Sequence, residues 1–380
     1  MKPYPPLGLL YVSAHLKNNA YAPKVLDSTF ITQDDWKAFV LAEQPEVVLF
    51  YANLITKPVT LKLLSFLKEN TNAIAIAGGP DVTYNKENYL AHGFDYLIVG
   101  EGEETALELI QSIEKGSDKT AISGLAFLKS GQLFTTPPRT KIKEMDSIGL
   151  PDREAIDFEK YLQTWENHHG MRMANISTQR GCPYTCKWCS TAVYGQSYRR
   201  RPAEAVVDEI EYLQRNFGVK GLWFVDDVFT VSHKWLDGLY EEFKNRDIKI
   251  AFEIITRAER LDERVLQQLK EMGCFRIWIG AESGSQKIIN AMDRDPVRTP
   301  LDDPTALHGP DNPGRSLTII GLQLLNYLQY FDWQWARSIG DLPAVVNVGR
   351  PHPFFLAYQD ENNRDLMARY GAHCTRVMGS

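Results

Sequence analysis

Arg180-Gly181-Cys182-Pro183-Tyr184-Thr185-Cys186-Lys187-Trp188-Cys189-Ser190 gathers three of the chain's five cysteines in a CxxxCxxC spacing, in a loop marked by Gly181 and Pro183. Thiolates are soft ligands that suit iron–sulfur clusters, zinc or copper. A four-iron cluster normally takes four cysteines, so three from one loop would leave one iron open for chemistry. Structural zinc is the alternative, but it needs four protein ligands. The nearest further donors are His168, His169 and Cys274, and they form no paired motif. A disulfide framework does not suit 380 residues with five cysteines and no signal peptide. On spacing alone the cluster leads, with zinc and inert thiols still open.

The pattern downstream of the loop favours a parallel sheet. Met173 to Thr178 reads as a strand that feeds the cysteine loop. Pro202 suits the first turn of a helix, and Val206, Ile210, Leu213 and Phe217 form its core-facing stripe. Gly221 to Val225 is a second strand, ending in Asp226-Asp227, and Ile248 to Ile255 a third, ending in Thr256-Arg257. Asp262 caps a helix carrying Leu266, Leu269 and Met272 and closed by Gly273. Cys274 to Ile279 is a fourth strand, ending in Gly280-Ala281-Glu282-Ser283. Each strand thus runs into polar or ligating residues, and in β/α barrels the carboxyl-terminal rim is where active sites are built. Taken singly, the Asp pair could cap a helix, and Arg257 and Glu282 could form a structural ion pair.

Upstream, residues 1 to about 125 alternate strand and helix patterns. Leu9, Val12 and Leu16 share a helix face introduced by Gly8. Lys24 to Asp27 reads as a strand, Glu46 to Tyr51 as a buried one, and Leu61, Leu64 and Leu67 mark a helix. Ala73 to Ala77 runs into Gly78-Gly79-Pro80, and Asp95 to Val99 runs into Gly100-Glu101-Gly102-Glu103. Such alternation predicts a parallel sheet covered on both faces, with ligands at the carboxyl ends of its strands. The glycines lie at those ends, although tight turns alone would explain them. Residues 126 to 170 read as a connector, with a small hairpin around Ser130-Gly131 and an extended passage marked by Pro137, Pro138 and Pro151.

Composition is that of an ordinary soluble protein, with 44% hydrophobic and 24% charged residues. A net charge of −6 gives no reason to expect nucleic acid as partner. Arg199-Arg200-Arg201 is the single basic run and reads as a solvated or substrate-facing loop. No signal segment is evident, which fits a cytoplasmic setting. The apolar segment Leu317 to Trp335 is too polar for a membrane span.

With these residues together, the chain resembles the radical S-adenosylmethionine (SAM) superfamily, and within it the cobalamin-binding group. The cysteine loop, with Trp188 before its third cysteine, resembles the cluster motif of that superfamily. Phe224 to Phe229, Ile255 to Ala258 and Gly280 to Ser285 resemble the blocks that follow it. Tyr4-Pro5-Pro6-Leu7-Gly8, Gly78-Gly79-Pro80 and Val99 to Thr105 resemble the group's cobalamin-binding domain. The resemblance covers residues 4 to 293.

It implies a Rossmann-like cobalamin-binding α/β domain over 1–125, a connector over 126–170, and the first four β/α units of a radical SAM barrel over 171–293, leaving 294–380 unassigned. Cys182, Cys186 and Cys189 would hold a 4Fe-4S cluster whose open iron chelates S-adenosylmethionine. Trp188, Asp226, Asp227, Arg257, Glu282 and Ser283 would line that cofactor's pocket, and Gly78, Gly79, Gly100 and Gly102 the cobalamin site. No Asp-x-His-x-x-Gly segment occurs, so cobalamin would bind without a protein imidazole. The implied activity is methyl transfer to, or cyclisation of, a small or lipid-like organic substrate, with electrons from a donor such as flavodoxin or ferredoxin. A methylthiotransferase would need cluster-binding cysteines in the N-terminal domain, and none precedes Cys182. A non-catalytic iron–sulfur remnant is the alternative from another class. The strand usual before Pro5-Pro6 is absent and the pattern stops near Asp293, as a truncated, frameshifted or fused gene would produce.

Overall fold

The computed structural model describes residues 3–186, 189 and 194–279, and these form two compact units. The first comprises residues up to 183 with the stretch 194–223; the second comprises 184–186, 189 and 224–279. The first unit opens with helices α1 (Leu7–Asn18) and α2 (Gln33–Glu43) and strand β1 (Val47–Tyr51). Then come α3 (Lys57–Asn70), β2 (Ile74–Gly78), the short α4 (Pro80–Tyr84) and α5 (Lys86–Ala91), β3 (Tyr96–Ile98) and α6 (Glu103–Glu114). The hairpin β4 (Leu125–Lys129) and β5 (Gln132–Thr135) precedes α7 (Phe158–His169) and β6 (Met173–Ile176). Two-residue strands β7 (Gln179–Arg180) and β8 (Arg199–Arg200), then α8 (Ala203–Phe217) and β9 (Gly221–Phe224), complete it, with Phe224 already in the second unit. The second unit adds α9 (His233–Asn245), β10 (Ala251–Thr256), α10 (Glu263–Met272) and β11 (Cys274–Ile279).

The first sheet runs β1-β2-β3-β4-β5, with β1, β2 and β3 parallel and the hairpin antiparallel beside β3. The hairpin read as part of a connector therefore extends this sheet. Side chains alternate across β2: Ala75 and Ala77 join a core with Leu64, Leu67, Tyr89 and Phe94, while Ile76 joins Ile98, Ala106, Leu109 and Leu125 on the other face. Burial on both faces is the signature of a parallel sheet between helices. The other strands lie as neighbouring pairs, β6 beside β9 in the first unit and β10 parallel to β11 in the second.

Local chemistry sets the helix ends. Thr32 and Asp35 form a reciprocal capping box that starts α2. Pro202 is the N-cap of α8, and Val206, Ile210 and Leu213 on that helix are fully buried, as their spacing predicts. Asp262 accepts the Val265 N–H at 2.8 Å to cap α10, and Gly273 closes it in the left-handed conformation.

Several expectations differ from the structure. Lys24 to Asp27 is not a strand; the Asp27 carboxylate instead accepts the Thr29 N–H and the Tyr161 hydroxyl, and side-chain bonds of this kind compete with a ladder. Among the described residues β2 is the one strand beside β1, which is therefore an edge whose residues are half-buried, with Tyr51 exposed. In α1 the buried stripe is Leu10, Tyr11, Ala14 and Leu16, while Leu9 and Val12 are half-buried. In α10 Val265 is buried in place of Leu266, which is exposed. Among the described residues no helix is long and apolar enough to cross a membrane. The segment Leu317 to Trp335 and the unassigned tail lie outside the described residues.

Two features tie residues 3–5 and 146–209 into the first unit. Trp165 Nε1 donates to the Pro3 carbonyl at 2.6 Å and Asn175 Nδ2 to the Pro5 carbonyl at 2.9 Å, with the Tyr4 ring 4.9 Å from Trp165 and 5.2 Å from Trp223. Arg153 and Glu209, both 1% exposed, pair at 3.1 Å, and Arg201 pairs with the other Glu209 oxygen. Removing one member of such a network leaves buried charge uncompensated. Glu209→Ala is therefore expected to destabilise the protein by about 3–5 kcal/mol in urea unfolding. A loss under about 1 kcal/mol would show that the two guanidiniums reach water without their carboxylate.

Candidate functional site

The carboxyl ends of β1 and β2 meet at close range. The Ala52 N–H following β1 donates to the Gly78 carbonyl at 2.8 Å. Gly79 has φ +116°, and a Cβ there would lie 2.4 Å from the Ala52 carbonyl oxygen, so only glycine fits. Gly100 also has positive φ, but a Cβ there would meet nothing within 4 Å among the described residues. Around this rim Tyr51, Leu54, Ile55 and Tyr84 are exposed, Leu54 by 76% and Ile55 by 63%. Exposed apolar side chains beside a glycine-lined rim suit a large, flat organic ligand. Asp81, after Gly78-Gly79-Pro80, is engaged by Lys57 at 3.1 Å and by the Tyr89 hydroxyl at 2.8 Å.

The cysteine loop leaves β6 through β7. Arg180 pairs with Arg199 in the β7–β8 ladder, and Cys182 bridges to Gln196. Gly181 sits at φ +80°, where a Cβ would lie 2.4 Å from the Ser197 carbonyl oxygen. Close approach of the two chain segments thus requires glycine immediately before the first cysteine. Cys182 is half-buried.

In the second unit Cys186 is half-buried and Cys189 exposed, and the Cys189 N–H turns back onto the Cys186 carbonyl at 3.1 Å. Arg257, following β10 and 4% exposed, donates from Nη1 to Cys186 Sγ at 3.6 Å. Its guanidinium carbon lies 4.0 Å from the centre of the Tyr184 ring, and Arg260 donates to the Tyr184 hydroxyl. Glu259 pairs with Arg257 Nε and fixes the guanidinium plane. Positive charge and an aromatic face therefore border the second cysteine. Asp226, after β9, is buried. Partial desolvation, and next the Asp226 carboxylate, raise the Asp227 carboxyl above the usual range.

The structure therefore brings Arg257 to Cys186, and keeps Asp226 and Asp227 at the end of β9. Among the described residues, no three His, Cys, Asp or Glu side chains are gathered as a metal ion would need. The fit to a cluster rests on the donor set, three cysteines within eight positions with a cation beside one of them. Trp188, Glu282 and Ser283 lie outside the described residues.

Tyr184, Glu101, Glu103, Arg180 and Arg199 escaped the sequence reading. The run Arg199-Arg200-Arg201 is not a solvated loop: Arg199 pairs with Glu101 at 2.6 Å, Arg201 with Glu209, and Arg200 is half-buried. Acidic partners about 100 residues upstream leave no local pattern; the one available signal was the pair of carboxylates inside the glycine motif.

Residues 2–110 match the B12 binding domain family and residues 176–302 the radical SAM superfamily. An uncharacterized methyltransferase of Pyrococcus horikoshii is 28% identical over 291 residues, covering 75% of this chain and 62% of the relative. The anaerobic magnesium-protoporphyrin IX monomethyl ester cyclase of Rubrivivax gelatinosus is 26% identical over 306 residues, covering 77% and 54%. The chain thus spans a little over half the length of these curated relatives. Two solved structures share the fold. The radical SAM methyltransferase TsrM of Kitasatospora setae, with tryptophan and a SAM analogue, has a TM-score of 0.65 at 21% identity, covering 77% of this chain and 59% of that one. The cobalamin-dependent radical enzyme OxsB has a TM-score of 0.67 at 18% identity, covering 77% and 43%. The chain thus joins a match to the B12-binding domain family to a match to the radical SAM superfamily, an arrangement consistent with the cobalamin-binding radical SAM group.

The fourth described cysteine, Cys274, opens β11. Burial pushes the Cys274 thiol up to about 12, against a usual 9.0. At pH 8 it should carry roughly a thousandfold less thiolate than an unperturbed cysteine, and thiolate is the reactive form. Mass spectrometry after brief iodoacetamide treatment of the metal-free protein should find Cys189 labelled and Cys274 intact; equal labelling would overturn the assignment.

Proposed function

We propose that this chain is a cobalamin-dependent radical SAM enzyme that methylates or cyclises a small organic molecule. The observation that carries the reading is the donation from Arg257 to Cys186, two residues 71 positions apart that the family pattern assigns to one cofactor site. Cys182, Cys186 and Cys189 would hold a 4Fe-4S cluster. Asp226, Asp227 and Arg257, with Trp188, Glu282 and Ser283, would line the pocket for S-adenosylmethionine. Gly78, Gly79, Gly100 and Gly102 would line the corrinoid side, where the exposed apolar rim favours a macrocycle.

When bound, these cofactors supply one-electron cleavage of S-adenosylmethionine to methionine and a 5′-deoxyadenosyl radical, and a cobalt centre able to carry methyl. The chain's own residues bind and orient. Arg257 sets positive charge beside a sulfur ligand while Glu259 and Tyr184 hold its plane. The Asp226 and Asp227 carboxylates can accept hydrogen bonds from hydroxyl or ammonium groups. The reading implies a one-electron donor of flavodoxin or ferredoxin type and a reducing, cytoplasmic setting. Methyl transfer is the first choice of reaction, and cyclisation the second.

Anaerobic reconstitution with iron and sulfide, followed by dithionite and S-adenosylmethionine, should give 5′-deoxyadenosine. Cys186→Ala should abolish the cluster's visible absorbance and lower that product at least about 100-fold. A fully loaded protein that releases no 5′-deoxyadenosine would rule the enzyme out. Hydroxocobalamin incubated with the protein should survive desalting with a perturbed spectrum; complete loss of the corrinoid would remove the cobalamin half of the reading.

A further inference from the structure

Four ionised side chains meet inside the first unit. Glu101 Oε1 accepts Arg199 Nη1 at 2.6 Å and Arg180 Nη1 at 3.4 Å, and Glu101 Oε2 accepts the Ile142 N–H at 2.9 Å. Glu103 accepts Arg180 Nη2. Exposure is 3% for Arg180, 4% for each glutamate and 10% for Arg199. The Arg180 guanidinium also lies 5.3 Å from the ring centres of both Tyr11 and Tyr194. Two positive and two negative charges balance only while all four are present, and a buried charge without its partner is unfavourable.

The origin of each pair is informative. Glu101 lies in the glycine loop after β3 and Glu103 opens α6, both on the corrinoid side of the reading above. Both guanidiniums lie on the strands that flank Gly181-Cys182, and those strands pair with each other. Cys182 is two residues from Arg180, and its backbone is held further by the bridge to Gln196 and by the tight Gly181–Ser197 approach. Much of the burial of this cluster is electrostatically unnecessary for stability, since apolar side chains of similar volume would serve as well. In some proteins buried polar or ionic groups of this kind are kept because they fix register.

We propose that Glu101 and Glu103 are positioning residues for Cys182: the glycine loop and the start of α6 hold the first cluster ligand in place through Arg180 and Arg199. The assignment rests on the cluster reading for its consequence, but the mechanical link belongs to the apoprotein. Loosening either glutamate frees residues 178–182 and 196–201 together, because the β7–β8 pairing couples them.

Hydrogen exchange by mass spectrometry on the full-length apoprotein reads the link directly. In Glu101→Gln and Glu103→Gln, amides of 178–182 and 196–201 should exchange at least tenfold faster, with α8 unchanged. After reconstitution, iron loss to a chelator should be at least fivefold faster than in the wild type. The double variant Glu103→Gln with Arg180→Met removes one charge of each sign. It should regain the wild-type melting temperature yet keep fast iron loss, a split that a purely structural role would not produce. If the single variants unfold, the double variant is read against the same criteria. Unchanged exchange in both segments, or iron loss at the wild-type rate, would overturn the proposal. Wild type that binds no iron would instead defeat the cluster reading, while the exchange arm still decides the link.

Discussion

Buried arginine is the constraint on which the first unit depends. A guanidinium cannot lose its proton at physiological pH, so each one taken from water needs a carboxylate at hand. Arg153 and Arg201 share Glu209, and Arg180 and Arg199 share Glu101 with Glu103 alongside. These pairs join segments from distant parts of the chain: the glycine loop and the start of α6 to the strands around Gly181, and Arg153 to Glu209 of α8. Apolar contacts supply most of the free energy of such a fold, but they are tolerant of small shifts. Charge pairs of defined geometry are not, and they hold the elements in one register.

The same contrast separates the two kinds of site. At the rim of the first sheet, specificity is mostly shape: backbone against backbone at Gly79 and Ala52, with large apolar side chains left facing outward. Beside the second cysteine it is charge and hydrogen bonding, from Arg257, Glu259 and Tyr184. A rim of the first kind accommodates a bulky ring system, and one of the second suits a small, polar, charged cofactor. The chemistry proposed for the chain asks for one of each.

Most of the architecture could be read from periodicity. Val206, Ile210 and Leu213 are buried because a 3.6-residue repeat leaves them on one face, and Asp262 caps its helix because its side chain reaches a free N–H three residues on. Where the reading failed, a nonlocal competitor was responsible. Val25 and Leu26 look like a strand, but Tyr161, 134 residues away from Asp27, anchors that segment otherwise. The basic run at 199–201 looks solvated until its partners at 101 and 209 are known. Of the candidate site, the cysteines, Arg257 and the Asp pair were legible as motif residues. Tyr184 and Glu101 were not, since their roles depend on three-dimensional neighbours that leave no pattern in the chain.

The anchoring of Pro3 and Pro5 has a consequence for synthesis. Their carbonyl partners, Trp165 Nε1 and Asn175 Nδ2, emerge from the ribosome 162 and 170 residues later. At about 5–20 residues per second that is a wait of roughly 10–30 s. During it the first sheet can assemble, while Pro3, Pro5 and the Tyr4 ring still await Trp165 and Asn175. Residues 3–5 of this unit are thus among its last to settle, because their hydrogen-bond donors arrive only with α7 and β6.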